Sequence, residues 1–287
     1  MANGGNGGNG GVMNKKTIFI SFMGLLCSFA FANADTSAPA AIKEKKIVII
    51  GATSGIGKAV ALEYARAGYK LGLAGRREEL LKELQAQIPG SCIATLDVTK
   101  PNAQKKLSKL IEELGGMDIM IISISAYNEF NSSTPESECN KKTLAVDLLG
   151  FYQMASFGFT FFEKQQSGHM VGISSVDGLR GSAGCPVYSG AKAFISKYLE
   201  GMRNRYIQHH IPIAVTDIIP GWVDTEHSKF SAMPGTYWVS STKDAAVQIV
   251  DAIKRQAKRA YITKRWALIG WLLHHTPDFI YNAMGGF

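Results

Sequence analysis

The stretch Lys46-Ile47-Val48-Ile49-Ile50, continued by Gly51-Ala52-Thr53-Ser54-Gly55-Ile56-Gly57, decides the fold. Its first half is an unbroken apolar, β-branched run bounded by glycine, the pattern of a strand buried on both faces of a parallel sheet. Its second half sets three glycines between that strand and a helix-forming segment, 57–67, that closes at Gly68. Backbone amides at such a helix N-terminus can receive a pyrophosphate, and the missing side chains let it come close. A plain tight turn carries the same glycines, so the rest of the chain has to discriminate between the two.

Working outward, the same alternation recurs. Strands are predicted at 70–74, 92–96 and 118–123, with a helix at 78–87 stopped by Pro89-Gly90 and another whose face carries Leu107, Leu110, Ile111 and Leu114 at i, i+3, i+4 and i+7. The second half predicts a long helix over 142–162, a strand at 169–173, a helix over 188–208 and a strand at 213–218. Ser241-Thr242-Lys243-Asp244 is a capping-box signature opening a helix to about residue 258, before a short strand at 260–262. This order predicts one α/β domain over 46–287, a single doubly wound parallel sheet of Rossmann type with helices on both faces.

Composition agrees: 287 residues with 46% hydrophobic and 19% charged positions bury a sizeable core and are not those of a disordered chain. Lys and Arg number 31 against 23 Asp and Glu, but the basic residues are scattered in twos, so nucleic-acid binding is not expected. Cys27, Cys92, Cys139 and Cys185 lie far apart and suggest neither a disulfide framework nor a metal site. The histidines, among them the adjacent pairs His209-His210 and His274-His275, lack ligand spacing, and no metal is predicted.

Residues 1–12 form an Asn/Gly tract with no apolar pattern to offset the entropy of ordering it, and it is read as disordered. Over 13–34, Lys15-Lys16, the apolar stretch Thr17 to Ala30 and Ala32-Asn33-Ala34 have the order of a secretory signal, expected to be cleaved after Ala34; 35–45 reads as a linker. Export or membrane association is the expected location if that signal is used, and the cytoplasm if the start codon is misassigned. Trp266 to Leu273 is too short to span a bilayer, and packing against the body or a second subunit of a homo-oligomer is expected in preference to membrane contact.

The residues that discriminate come later in the chain. Tyr188 and Lys192 are four apart on a predicted helix and project from one face. A phenol with a pKa near 10 is a poor acid–base group at neutral pH, and a neighbouring ammonium lowers that value. Ser175 ends a predicted strand 13 residues before Tyr188, where its hydroxyl could hold a substrate oxygen beside the phenol. At the end of the second strand, where an acid would take a ribose 2′-hydroxyl, stand Arg76 and Arg77, which suit a 2′-phosphate and so NADP(H).

Gly51, Gly55 and Gly57, then Asp97, Ser175, Tyr188, Lys192 and Pro220-Gly221, fall in the order and spacing of the short-chain dehydrogenase/reductase family, which the chain resembles from Lys46 to about Lys264. The resemblance implies that Tyr188 is the catalytic acid–base, that Lys192 binds the nicotinamide ribose and lowers the tyrosine pKa, and that Ser175 positions a carbonyl. It further implies that Asp97 and Val98 flank the adenine, and that Pro220-Gly221 with Val223 and Thr225 borders the nicotinamide. Thr53, Ser54 and Ile56 of the glycine loop, with Ser123 beside the ribose, complete the expected cofactor site.

Two departures stand out. Ile122-Ser123-Ile124-Ser125 replaces the family's Asn-Asn-Ala-Gly, and Asp147 occupies the position of a catalytic-tetrad asparagine, where its charge would interact with Lys192. Residues 226–238, with Phe230, Met233, Tyr237 and Trp238, are consistent with an apolar lid. The expected activity is NADP(H)-dependent interconversion of a small, apolar carbonyl or alcohol substrate; the competing reading is a nucleotide sensor that kept the fold and lost turnover.

Overall fold

The computed structural model describes residues 45–126, 136–226 and 236–283. The Asn/Gly tract, the expected export signal and nearly all of the linker lie outside the described residues, as do residues 227–235 of the expected lid.

The strand read from the opening stretch is β1 (Lys46–Ile50), and its side chains alternate between two cores as the two-residue period of a strand requires. Val48 and Ile50 enter one apolar cluster, Ile47 and Ile49 the other. After α1 (Gly55–Arg66) come β2 (Lys70–Gly75), α2 (Glu78–Gln87), β3 (Cys92–Thr95), α3 (Ala103–Leu114) and β4 (Ile119–Ile122). The predicted stripe of Leu107, Leu110, Ile111 and Leu114 is the face that α3 buries. Helix α1 starts at Gly55, two residues ahead of the sequence reading. Ser54 is extended and gives no side-chain cap, so all the loop's later glycines fall within the first turn.

The second half contributes α4 (Glu136–Thr143), a π-helical turn over Leu144–Gly150, α5 (Phe151–Gln165), β5 (Gly168–Ile173), α6 (Pro186–Gln208) and β6 (Ile213–Pro220). The single long helix expected over 142–162 therefore begins earlier and is interrupted by a π turn, which is where such insertions often mark a functional site. Pro186 opens α6, where its missing amide costs no intrahelical bond. A two-residue pair, β7 (Val223–Asp224) with β8 (Ser240–Ser241), stands apart from the main sheet.

Ser241 caps α7 (Thr242–Lys254) by accepting from the Asp244 amide at 3.0 Å, as the capping signature predicts, although the helix stops short of residue 258. β9 (Arg259–Ile262), α8 (Trp266–His275) and α9 (Asp278–Ala283) complete the described chain. The apolar run in α8 divides: Trp266, Gly270 and Leu273 pack inward, whereas Leu268, Trp271 and Leu272 are exposed.

Seven strands form one parallel sheet in the order β3-β2-β1-β4-β5-β6-β9. Helices α3, α5 and α6 cover one face, and α1, α2 and α7 the other. The order reverses direction between β1 and β4, and at such a switch point the loops leaving the strands' C-terminal ends diverge and open a crevice. Gly51, Ser123, Ser174 and Gly221 follow β1, β4, β5 and β6 at that edge. The doubly wound α/β architecture expected from the alternation is the one observed.

Candidate active site

At the switch point the glycine loop and the β4 loop close on one another. Gly51 has φ +90°, and a Cβ there would overlap the Ser123 carbonyl oxygen. A Cβ at Gly57 would overlap the Gly51 carbonyl in turn, so the turn tolerates no side chains at these two points. The early amides of α1, left without a side-chain cap, face the end of the sheet where an anion would be bound. Arg77 donates to Thr53 Oγ1 at 3.0 Å and to Ser54 Oγ at 2.6 Å, which fixes one guanidinium on the loop.

Arg76 is exposed and lies within electrostatic reach of Asp97. Asp97 accepts from the Thr99 amide and hydroxyl at 3.0 and 2.8 Å. Burial works to raise the Asp97 carboxyl, but those hydrogen bonds together with Arg76 and Lys100 hold it below its usual value. The Val98 side chain packs into the core beside Gly150 of the π turn, so only its backbone remains for an adenine. From the far side of the crevice, Thr225 comes to 3.5 Å of a Cβ built at Gly55. Pro220 pairs with Ile262, the Gly221 amide donates to the Ile262 carbonyl at 2.6 Å, and Val223 is buried, all in one loop system with the Trp266 indole stacked on Gly221. Ile56 is partly buried against the core under α1.

The structure brings Ser175, Tyr188, Lys192 and Asp147 together. Lys192 is 2% exposed and Asp147 fully buried, and the ammonium sits 3.1 Å from Asp147 Oδ1 as an ion pair without hydrogen-bond alignment. Asp147 Oδ2 accepts the Ala126 amide at 2.7 Å. The Lys192 ammonium also reaches the Ile173 carbonyl at 3.4 Å and stands 5.4 Å from the centre of the Tyr188 ring.

This pairing is one of several influences on the tyrosine. Tyr188 titrates well above 10, the reverse of what a free ammonium beside it would produce. Burial is the main cause, with the Asp147 and Asp177 charges next, and a hydrogen bond with Ser175 opposes them only in part. Burial and these charges favour the neutral phenol of Tyr188.

Two further carboxylates belong to the site and were not singled out from the sequence. Asp217, on β6, accepts from Ser174 Oγ at 2.6 Å and from Ser196 Oγ at 2.7 Å, tying the end of β5 to α6 and so setting where Ser175 begins. Asp177 accepts from Ser175 Oγ at 2.9 Å and returns its own amide to the same oxygen at 3.2 Å. The spacing Ser-x-Asp carried a signal, since a serine cap with a carboxylate two residues on forms such a local ring. Asp217 left none, because its partners are 21 and 43 residues away.

A crevice at the switch point of a parallel sheet, with a serine, a tyrosine and a lysine converging beside a glycine turn, defines a dinucleotide-dependent oxidoreductase by its architecture. A family model described as short chain dehydrogenase matches residues 45–234, and the chain belongs to that family. It is 30% identical to an uncharacterised oxidoreductase of Mycobacterium tuberculosis over 77% of this chain and 89% of that one. It is 23% identical to a hydroxysteroid 11-beta-dehydrogenase 1-like protein of Xenopus tropicalis over 88% and 89% of the two chains. Among solved structures, a short-chain dehydrogenase from Sphingobium yanoikuyae in complex with NADPH shares the fold with TM-score 0.68 at 20% identity, covering 78% of this chain and 91% of that one.

The buried pair predicts a stability pattern. Lys192→Met leaves Asp147 charged and unpaired and is expected to cost about 3–5 kcal/mol. Adding Asp147→Asn, which keeps an acceptor for the Ala126 amide, is expected to recover most of that loss in denaturant unfolding.

Proposed function

We propose that this oxidoreductase interconverts a carbonyl and an alcohol with NADP(H), with Tyr188 as the proton donor and acceptor. The observation that carries the reading is the convergence of Ser175, Tyr188 and the Lys192–Asp147 pair at the C-terminal edge of the sheet, beside the glycine loop that holds Arg77. The cofactor fits on structural grounds: the uncapped start of α1 suits a pyrophosphate, and Arg77, already on Thr53 and Ser54, suits a 2′-phosphate. The NADPH bound by the Sphingobium yanoikuyae neighbour agrees with this choice.

When bound, a reduced nicotinamide supplies the hydride that a carbonyl carbon accepts. Tyr188, held as a phenol, donates its proton to the carbonyl oxygen as negative charge develops there. Ser175 holds that oxygen in place. The buried pair fixes the base of the site, with Lys192 one turn along α6 from the tyrosine and Asp147 on the π turn. A tyrosine that resists ionisation is matched to the reducing direction, in which it must arrive protonated; alcohol oxidation needs the phenolate and is expected to require higher pH.

Around Gly221, Trp266 packs edge-on against Trp222 and Trp238 at 5.5 Å in each case, with Tyr261 beside them. Trp266 is buried at the centre of this cluster, and the partly exposed Trp222 and Trp238 are the rings that would favour an apolar substrate.

Tyr188→Phe is expected to retain NADPH binding and to lose turnover on the order of 10²-fold or more, measured by cofactor oxidation with a panel of ketones and aldehydes. Consumption of NADPH by the parent with none of them would replace this reading by that of a sensor.

Arg77→Ala is expected to raise the KM for NADPH at least about tenfold, the worth of a charged hydrogen bond, and to leave that for NADH nearly unchanged. Steady-state kinetics with both cofactors checks it, and equal efficiency of the parent with the two would refute the 2′-phosphate assignment.

Asp147→Asn removes a charge that raises the Tyr188 pKa. The basic ionisation in the pH profile of alcohol oxidation is therefore expected to move to lower pH, and an unmoved or raised profile would detach Asp147 from the tyrosine.

A further inference from the structure

A serine hydroxyl has one proton, and in this site a carboxylate already holds it. Ser175 Oγ donates to Asp177 Oδ2 at 2.9 Å, and one of its lone pairs takes the Asp177 amide at 3.2 Å. Its other lone pair has the Tyr188 hydroxyl as neighbour, so no serine proton is left for the crevice. A carbonyl oxygen has no proton to offer, so it gains nothing from a serine in this state.

The arrangement is built, not incidental. Residues Val176–Gly178 form a single 3-10 turn capped by Ser175. A Cβ at Gly178 would press to 2.7 Å of the Lys192 backbone carbon, so this turn lies directly on α6 at the catalytic lysine.

We infer that Asp177 is a positioning residue that sets the direction of the Ser175 hydrogen bond: ionised, it keeps the serine proton from a substrate oxygen, and protonated, it makes Ser175 a donor suited to carbonyls. This rests on the reading of Ser175 as the group that holds the substrate oxygen. In the protonated state Asp177 donates to Ser175 Oγ, and the serine proton turns to the carbonyl. No bond to carbon changes in this step; one proton is taken up from solvent by the carboxylate.

The groups that face Asp177 are Ser175 on its own turn, and Tyr188 and Lys192 on α6; beyond Lys192 lies Asp147 of the π turn, and Cys185 precedes α6 on the Tyr188 side. Burial raises the Asp177 carboxyl above its usual value, and the Ser175 hydrogen bond and the Lys192 charge return only part of that. The change of state accordingly falls above the ordinary carboxylate range, with carbonyl binding favoured on the acid side of it and weakened as pH rises.

The test is the KM for a carbonyl substrate with saturating NADPH, measured against pH for the full chain and for Asp177→Asn, in which the amide donates to Ser175 as a protonated acid would. The expected result is a carbonyl KM about three- to tenfold lower than the parent's at neutral pH, the worth of one hydrogen bond, and independent of pH where the parent's rises. Asp177→Ala, which frees the serine proton outright, is expected to lower the carbonyl KM as well. A parent that turns over carbonyls while Asp177→Asn keeps the parent's KM and pH slope overturns the inference and leaves the proposed reaction standing. Should neither variant fold, a parent carbonyl KM that does not fall on acidification overturns it equally. No turnover in parent and variants alike overturns the proposed function first, and the inference with it.

Discussion

An ammonium and a carboxylate shut away from water, Lys192 and Asp147, hold this site together. Neither charge could be buried alone, since the desolvation of each is recovered only through the other and through hydrogen bonds to what remains. Asp147 uses its second oxygen on the Ala126 amide, and so joins the loop after β4 to the π turn and the π turn to α6. Three separate pieces of chain are thereby fixed relative to one another at the point where Tyr188 emerges. Asp147 itself lies within the π turn that joins α4 to α5.

Around that pair the two halves of the sheet divide the labour. The first half ends in the glycine turn, with Arg77 anchored on the Thr53 and Ser54 hydroxyls, and offers amides and positive charge. The second half ends in Ser175 and in the helix bearing Tyr188 and Lys192. Asp217 beneath it, bonded to Ser174 and Ser196, keeps the strand end and the helix in register. Parallel strands bring all these loops to one edge, which is why residues from Gly51 to Thr225 meet in one crevice.

The electrostatics of this crevice differ from what its cationic lysine alone implies. An ammonium spent on a partner 3.1 Å away has little field left to lower a phenol's pKa. Burial first, and then the Asp147 and Asp177 charges, favour a proton kept on Tyr188 rather than released. A bound positively charged nicotinamide would oppose them, so the ionisation of the tyrosine is coupled to the state of the cofactor.

The sequence by itself determined the strands, the helices and their order, because burial on both faces of a parallel sheet demands unbroken apolar runs and burial on one face of a helix demands the spacing seen at Leu107, Leu110, Ile111 and Leu114. It also determined the glycine turn, the Tyr188–Lys192 pair and the anomaly at Asp147, since these are local spacings or single positions in a known order. The π turn was not legible: an inserted residue changes winding without changing composition, and 142–162 reads as one helix. Nor was the division of work between Arg76 and Arg77, which are neighbours in sequence but reach Asp97 and the glycine loop respectively. Only tertiary structure decided the charge state of Tyr188 and the parts played by Asp177 and Asp217. A pKa depends on burial and on charges brought close through space, and the partners that set it here stand on the π turn, the 3-10 turn and α6.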